Sequence, residues 1–589
     1  MQIQNKKLNY IKIREIIMKC IFCVAALFSF FALLAICIFL FAKGFPSFAQ
    51  TGFFKFIFGK VWNPVSQTPT FGILPMILGS IYVTALATII GVTIGLFTSI
   101  FLFKFCPKKL VPYVRQLVNL LAGIPSVIYG LFGLTLIVPL LASISPTAQG
   151  EGILAASIIL SIMILPTIVS ISLNALYAVP TNIYEGALAL GSTKEQTVFK
   201  AVVPAAKNGI FAAIVLAIGR AIGETMAVTM VVGNNPNIPK GIFQPINTLT
   251  SVIAGEALEH TSESHMNALI AIGVVLFVFT LLLNITFMIL KNRKKNTKSK
   301  ISKIISSRFE QFSLGYNKGF NKFKKGLSYV CAILAILALG GIICYILISG
   351  IPHIDKNFLF GKYSSKEPTL SHALIGTLYL IGISIAIAAP IGIASAIFLS
   401  EYAAKTKIVK YIRLAVETLA AIPSIVYGLF GYLIFVVFLG FGFSLLGGGI
   451  TLAIMILPMI IRTTEESLLS VPISYREGSF ALGASKVRTT FKVILPCAAG
   501  GIVSSLILSI GRVVSESAVL ILTIGMVSNL MPSSMMSAGT SMALDVFYLG
   551  SHGNPQKAAA MGVILLILVV GLNLLATFIG KLLKKGESI

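Results

Sequence analysis

Charge is the scarcest ingredient of this sequence: only 11% of its 589 residues are Asp, Glu, Lys or Arg. A water-soluble domain carries about 25%, so a soluble fold of this length is excluded. Tryptophan occurs once, as Trp62, and histidine five times. Lone histidines such as His265 and His353 stand in loops without metal-ligand spacing, so neither a metal site nor a cofactor is expected. The seven cysteines lie in or beside apolar runs, and their odd number and irregular spacing give no disulfide framework. Cys20-x-x-Cys23 falls on the first turns of an apolar run, where it reads as part of a span and not as a redox pair. Nucleotide chemistry is lacking too. Gly186 with Gly191, and Gly478 with Gly483, have the glycine spacing of a phosphate loop. Such a loop then needs Lys for the phosphates and Ser or Thr for magnesium. Ser192–Thr193 and Ala484–Ser485 stand there instead, with no preceding buried strand. No ATPase site of its own is therefore expected.

What fills the chain is apolar: 56% of residues are hydrophobic. Runs of roughly 20 apolar residues suffice to cross a bilayer as helices. They fall at about 16–42, 71–103, 117–141, 152–178, 209–233 and 267–290, then 327–350, 371–399, 414–440, 447–468, 499–526 and 557–580. The first run is too long for a signal-peptide core and has no small-residue cleavage site, so it is expected to remain as a helix. The expected fold is an all-α polytopic membrane protein of about twelve transmembrane helices.

The net charge of +27 could suggest nucleic acid. Its placement argues otherwise. With both termini in the cytoplasm, almost all of the positive charge falls in cytoplasmic segments, as the positive-inside rule requires. The basic residues orient helices, and no nucleic-acid partner is expected.

The chain also says the same thing twice. LAGIPSVIYGLFG, from Leu121, returns as LAAIPSIVYGLFG, from Leu419, with ten of thirteen positions identical. EGALALGSTKEQTVFKAVVPAAKNGI, from Glu185, returns from Glu477 as EGSFALGASKVRTTFKVILPCAAGGI, with thirteen of twenty-six identical. AIGRAIGETMAV, from Ala217, returns more loosely as SIGRVVSESAVL, from Ser509. This is a whole-domain duplication and not a short solenoid period. Between the copies, Lys291 to Lys325 holds twelve Lys or Arg against one Glu. Charge at that density builds no core, so the segment reads as a cytoplasmic linker that can touch anionic headgroups. The expected organisation is a first domain over 1–290, a linker over 291–325 and a second domain over 326–589. Six spans is an even number, so the tandem repeats share one orientation, unlike inverted-repeat carriers.

The strongest functional signal is the cytoplasmic loop between the fourth and fifth spans of each repeat. Pro180 ends the preceding helix, and Asn182 with Glu185 three residues on reads as a capping box. Pro472, Ser474 and Glu477 repeat it. Gly191 and Gly483 are placed to stop these short helices in a left-handed turn. A plain connector is the bland alternative, but two copies of one capped, glycine-broken loop suggest a docking surface.

The Glu-x-x-x-x-x-Gly pattern with a proline downstream (Pro204, Pro496) resembles the EAA loop of bacterial ABC importer permeases. IPSVIYGLFG and IPSIVYGLFG are narrower, and resemble the two permease subunits of the phosphate-specific importer, here fused in one chain. The likeness covers both six-helix halves and implies a type I ABC importer permease fold. It implies Glu185, Gly191, Glu477 and Gly483 as ATPase docking residues. It further implies two copies of an ATPase subunit on the cytoplasmic face, an extracytoplasmic phosphate-binding protein, and a bacterial inner-membrane location. Gly186 and Gly478 replace the usual alanine after the glutamate, and Ser515–Glu516–Ser517 replaces the Gly-Glu-Thr of many relatives. The linker and the N-terminal extension have no counterpart.

Within the spans, Arg220 with Glu224 and Arg512 with Glu516 are spaced to share one helix face. A charge at mid-bilayer costs about 2.5–3.5 kcal/mol on insertion scales, so these residues are expected to face the bundle interior or a wet cavity. One reading is a self-neutralising packing clamp. The other is an anion pathway in which the arginine fork holds phosphate oxygens. Pro125 with Ser126, and Pro423 with Ser424, are hinge or pathway-lining candidates, because proline with serine can kink a membrane helix. Tyr129 and Tyr427 either line a path or pack. Sulfate or molybdate is the rival cargo. An ion-coupled anion carrier or channel is a rival class, but it would need no docking loop.

Overall fold

The computed structural model describes residues 2–121, 123–146, 148–293, 317–361, 368–403, 407–527 and 531–585. Most of the basic linker, 294–316, lies outside these residues. Helices dominate. The first repeat runs α1 (Gln2–Thr51), α2 (Leu74–Ile100), α3 (Val111–Leu121), α4 (Ser126–Phe132), α5 (Ile153–Tyr177), α6 (Thr181–Ala189), α7 (Lys207–Gly223), α8 (Leu249–Glu256) and α9 (Glu263–Arg293). The second repeats the order from α1 to α8 as α10 (Asn317–Gly350), α11 (Ser371–Ile397), α12 (Lys407–Ala420), α13 (Ser424–Gly431), α14 (Leu445–Leu469), α15 (Ile473–Ala481), α16 (Leu495–Ser515) and α17 (Met542–Ser551). Among the described residues the one sheet is an antiparallel pair, β1 (Trp62–Asn63) with β2 (Thr70–Phe71), in which Trp62 faces Phe71.

Among the described residues nine helices are long and apolar enough to cross a membrane. Two bent pairs, Lys194–Ala205 with Lys207–Gly223 and Val409–Ala420 with Ser424–Phe438, are each apolar enough for a broken span or a re-entrant loop. Ser126–Ala142 is a shorter apolar helix. Together these fall on the twelve segments read from hydropathy.

The described residues form two compact units that do not follow the sequence boundaries at 290 and 326. One comprises Ser47–Pro352 with Gly550–Ala560; the other comprises Met1–Pro46, His353–Leu549 and Met561–Ile589. Each unit takes its first helix from the opposite repeat. The reason is a buried stripe at helical spacing. On α1 it is Phe22, Ala26, Ser29, Ala32, Ile36 and Leu40. Phe22 and Ala26 join a core with Leu399, Ile412, Leu457 and Ile494, and the Phe22 ring lies 5.5 Å from that of Tyr402. On α10 the stripe is Ser328, Ala332, Ala335, Leu339, Ile342 and Ile346. There Tyr329 packs on Phe101 at 4.8 Å and donates its hydroxyl to the Phe105 carbonyl at 3.2 Å. A contiguous division into 1–290 and 326–589 misses this exchange, because hydropathy marks a span without saying which bundle its apolar stripe fits.

The third and ninth spans break at the Ile-Pro-Ser segments. Pro125 and Pro423 have extended backbone, with ψ of 140° and 143°, immediately before α4 and α13. The second break bends the chain by 99°. Each break is bridged by its tyrosine. The Tyr129 hydroxyl donates to the Leu121 carbonyl at 2.9 Å, and Tyr427 to the Leu419 carbonyl at 2.7 Å. Both rings are fully buried. The same carbonyls accept from the N–H of Ile124 at 3.2 Å and of Ile422 at 3.1 Å, so each tyrosine adds a second donor that fastens the start of the following helix to the end of the one before. Tyr427→Phe is expected to remove the second of two hydrogen bonds to the Leu419 carbonyl and cost about 0.5–1.5 kcal/mol. A lowered midpoint in thermal unfolding of the purified protein checks this; an unchanged midpoint contradicts it.

Candidate functional site

The two glycine-broken loops expected to be docking surfaces are built almost identically. α6 starts after Pro180 and α15 after Pro472, each proline being extended with ψ of 135° and 139° and carrying no side-chain cap. The expected capping boxes at Asn182–Glu185 and Ser474–Glu477 therefore do not form. The proline carbonyl already accepts from the N–H of Ile183 or Tyr475, both at 3.1 Å, which starts the helix before Asn182 or Ser474 can act. Glu185 and Glu477 fall a full turn inside, exposed. A capping box does occur farther on, where Thr193 and Gln196 cap each other reciprocally.

The glycine turns are as expected. Gly191 and Gly483 have φ of +84° and +76°. The N–H of Gly191 donates to Leu188 at 2.9 Å and that of Ser192 to Ala187 at 3.2 Å. Gly483 with Phe480 and Ala484 with Ser479 repeat the pattern at 2.9 and 3.1 Å. This is the Schellman arrangement, which uses glycine for its left-handed residue. Just before each turn stands a leucine in open solvent, Leu190 at 89% and Leu482 at 91% exposed. In the first loop Tyr184 is pushed above the usual tyrosine range, by burial first and by the negative charge of Glu195 second.

Arg220 and Arg512 sit in the last turns of α7 and α16. Those helices stop at Gly223 and Ser515, and Glu224 and Glu516 are extended, with ψ of 131° and 133°. The expected continuous spans to 233 and 526, with arginine and glutamate on one helix face, are corrected accordingly. Gly223 carries the backbone entropy that disfavours helix. Ser515 turns its hydroxyl back to the Gly511 carbonyl at 2.7 Å, the local bonding through which serine competes with the helix. Around the first break the Arg220 guanidinium donates to the Thr167 hydroxyl at 3.2 Å. Thr250 Oγ1 donates to the Glu224 carbonyl at 2.9 Å. Arg220 is half-buried, whereas Arg512 is exposed. An exposed arginine on an otherwise apolar span belongs in a wet cavity.

A model of the family described as binding-protein-dependent transport system inner membrane component matches the chain twice, over residues 91–296 and 388–588. The chain belongs to that family. It is similar to the Phosphate transport system permease protein PstA homolog of Mycoplasma pneumoniae, at 30% identity over 513 residues covering 77% of this chain and 78% of the relative. The protein of the same name in Mycoplasma genitalium is 28% identical over 522 residues, covering 78% of each. The Phosphate transport system permease protein PstC of Mesorhizobium japonicum is 37% identical over 240 residues, covering 38% of this chain and 73% of the relative.

In this multi-pass membrane component of a transport system, three further charges lie inside a span. Arg462, Glu465 and Glu466 are on α14. The Arg462 Nε donates to Glu466 at 3.1 Å, and both side chains are largely exposed. Arg413 of α12 reaches Glu465 at 2.6 Å. Arg115 of α3 makes the matching contact, donating to the Asn174 side chain at 2.8 Å. Sequence reasoning passed over these residues, although counting charge within 447–468 would have found them. The histidines also have work that loop placement concealed. His265 Nε2 lies 2.9 Å from Glu256 Oε2, which also accepts from Trp62 Nε1 at 3.0 Å. His372 lies 3.0 Å from Asp545, and Thr540 donates to the same carboxylate at 2.6 Å. Both pairs hold the short helices α8 and α17 to neighbouring elements. Among the described residues no group of three His, Cys, Asp or Glu side chains is placed to hold a metal ion.

Proposed function

We propose that this chain is the fused permease of an ABC importer that carries inorganic phosphate into the cytoplasm. The observation that carries the reading is the duplicated docking helix, each ended by a left-handed glycine and tipped by an exposed leucine, in a member of the binding-protein-dependent family. The named phosphate permeases among its relatives support the cargo. Repeats 1–290 and 326–589 act as the two permease domains. Arg220 and Arg512 are the anion ligands of the pathway, and Glu224 and Glu516 set the charge around them. Glu185, Gly191, Glu477 and Gly483 belong to the surfaces that receive two separate ATPase subunits on the cytoplasmic face. A phosphate-binding protein delivers the cargo from outside. Both termini are cytoplasmic, in a bacterial cell membrane, and the chain hydrolyses no nucleotide itself.

Deletion of the chain is expected to abolish high-affinity phosphate uptake, and restoring it to recover uptake. Native mass measurement of the detergent complex is expected to give one copy of this chain with two ATPase copies. Two copies of the chain per complex, or uptake that survives deletion, would contradict the reading.

A further inference from the structure

α2 and α11 do not end as plain helices. Each runs into a short π-helix, Phe101–Phe105 and Phe398–Tyr402. Such segments re-aim side chains and recur at functional sites. Aligning IFLFKF (from Ile100) with IFLSEY (from Ile397) places Lys104 opposite Glu401. In the docking helices Tyr184 and Arg476 occupy equivalent positions, one residue before Glu185 and Glu477. Both pairs of positions meet in space, each within its own unit, but with different chemistry.

In the second repeat all three nitrogens of the Arg476 fork donate. Nε and Nη2 donate to Glu401 Oε1 at 3.1 and 2.8 Å. Nη1 donates to the Val471 carbonyl at 2.8 Å, and Nη2 also donates to the Leu468 carbonyl at 2.7 Å. The side chains are only 16% and 5% exposed. One guanidinium therefore ties the docking helix, the end of α14 and the end of α11 together. Lysine could not do this, since only the planar fork presents several donors in fixed directions. In the first repeat the Lys104 ammonium stands 4.1 Å from the centre of the Tyr184 ring. That is a cation–π contact with broader angular tolerance than a fork-to-carboxylate bond.

We propose that Glu401 and Arg476 are positioning residues that transmit displacement of the second docking helix to α11, and that Lys104 and Tyr184 form the softer equivalent in the first repeat. The proposal rests on the docking-loop reading above. It assigns the two docking helices unequal stiffness: the bidentate pair moves its span fully with the docking helix, whereas the cation–π contact passes on a smaller part of the displacement.

The test uses the full chain purified with its ATPase in lipid nanodiscs, with hydrogen exchange followed with and without a non-hydrolysable ATP analogue. In the unaltered chain the nucleotide should change exchange both in 473–481 and in 397–403. In Glu401→Gln and in Arg476→Gln the change should persist in 473–481 and vanish from 397–403, while phosphate uptake falls at least tenfold and the ATPase stays bound. The double variant Glu401→Lys with Arg476→Tyr installs the first repeat's own contact. It should return part of the response in 397–403 and bring uptake to within about threefold of the unaltered chain, because a softer contact remakes the same link. A nucleotide response in 397–403 that survives both single changes would overturn the proposal, as would a double variant that regains none of it. An unaltered chain that retains no ATPase would overturn the functional reading itself, and this proposal with it.

Discussion

Arg220→Gln and Arg512→Gln are each expected to lower phosphate uptake by about ten- to a hundredfold while the protein stays in the membrane. A hydrogen bond to a charged group contributes about 1.5–3 kcal/mol, and each ~1.4 kcal/mol is a factor of ten in rate. Glutamine keeps a donor but loses both the charge and the fork. Lysine restores charge without the fork, so Arg→Lys should fall between the two. The position of these arginines makes the effect specific. They occupy the last turns of α7 and α16, next to backbone breaks at Glu224 and Glu516. A guanidinium there can reach past the helix end, and Thr167 holds Arg220 in place at 3.2 Å. Adding Glu224→Gln to Arg220→Gln removes a negative charge that would repel phosphate. If the arginine is an anion ligand, that double variant regains folding but not transport. Full uptake in the double variant, measured beside its membrane level, would make the pair a packing clamp and end the ligand assignment.

The docking turns give the second large effect. Gly191→Val or Gly483→Val is expected to reduce ATPase co-purification and uptake to near background. A Cβ at either position meets nothing within 4 Å, so no clash is involved. The penalty comes from the backbone alone, since φ of +84° and +76° lies where L-residues are strained by roughly 1–3 kcal/mol, and β-branched ones most. Relief of that strain unwinds the turn and displaces Leu190 or Leu482. Asparagine tolerates the left-handed region, so Gly191→Asn should keep most of the activity. Equal loss from valine and asparagine, in uptake and in ATPase retention, would show that the turn conformation is not what matters.

Much of this was legible in the sequence, for reasons that can be named. A repeat of thirteen identical residues in twenty-six survives as two loops with the same glycine turn, because glycine at a left-handed turn is a local requirement that the chain states openly. The spans were legible because lipid demands long apolar runs. The breaks at Glu224 and Glu516 were not. Apolar residues continue on both sides, and hydropathy does not register a change in ψ. α6 starts two residues earlier than the expected Asn182 cap would place it, because Pro180 itself supplies the first acceptor, which makes that cap redundant. Glu401 and Arg476 stand 75 residues apart, and their contact exists only once α11 and α15 are packed. The exchange of α1 and α10 between units is of the same kind. Their stripes are visible in sequence, but the surfaces that receive them are assembled from the other repeat.

The central claim is that one chain carries phosphate at the expense of ATP hydrolysed by docked subunits. Proteoliposomes holding the chain with its ATPase, supplied with a phosphate-binding protein and radiolabelled phosphate, test it most directly. Accumulation should require ATP and the binding protein, persist when ion gradients are collapsed, fail for sulfate and molybdate, and drop sharply in Arg220→Gln. Accumulation without ATP, driven by a proton or sodium gradient, would contradict the account.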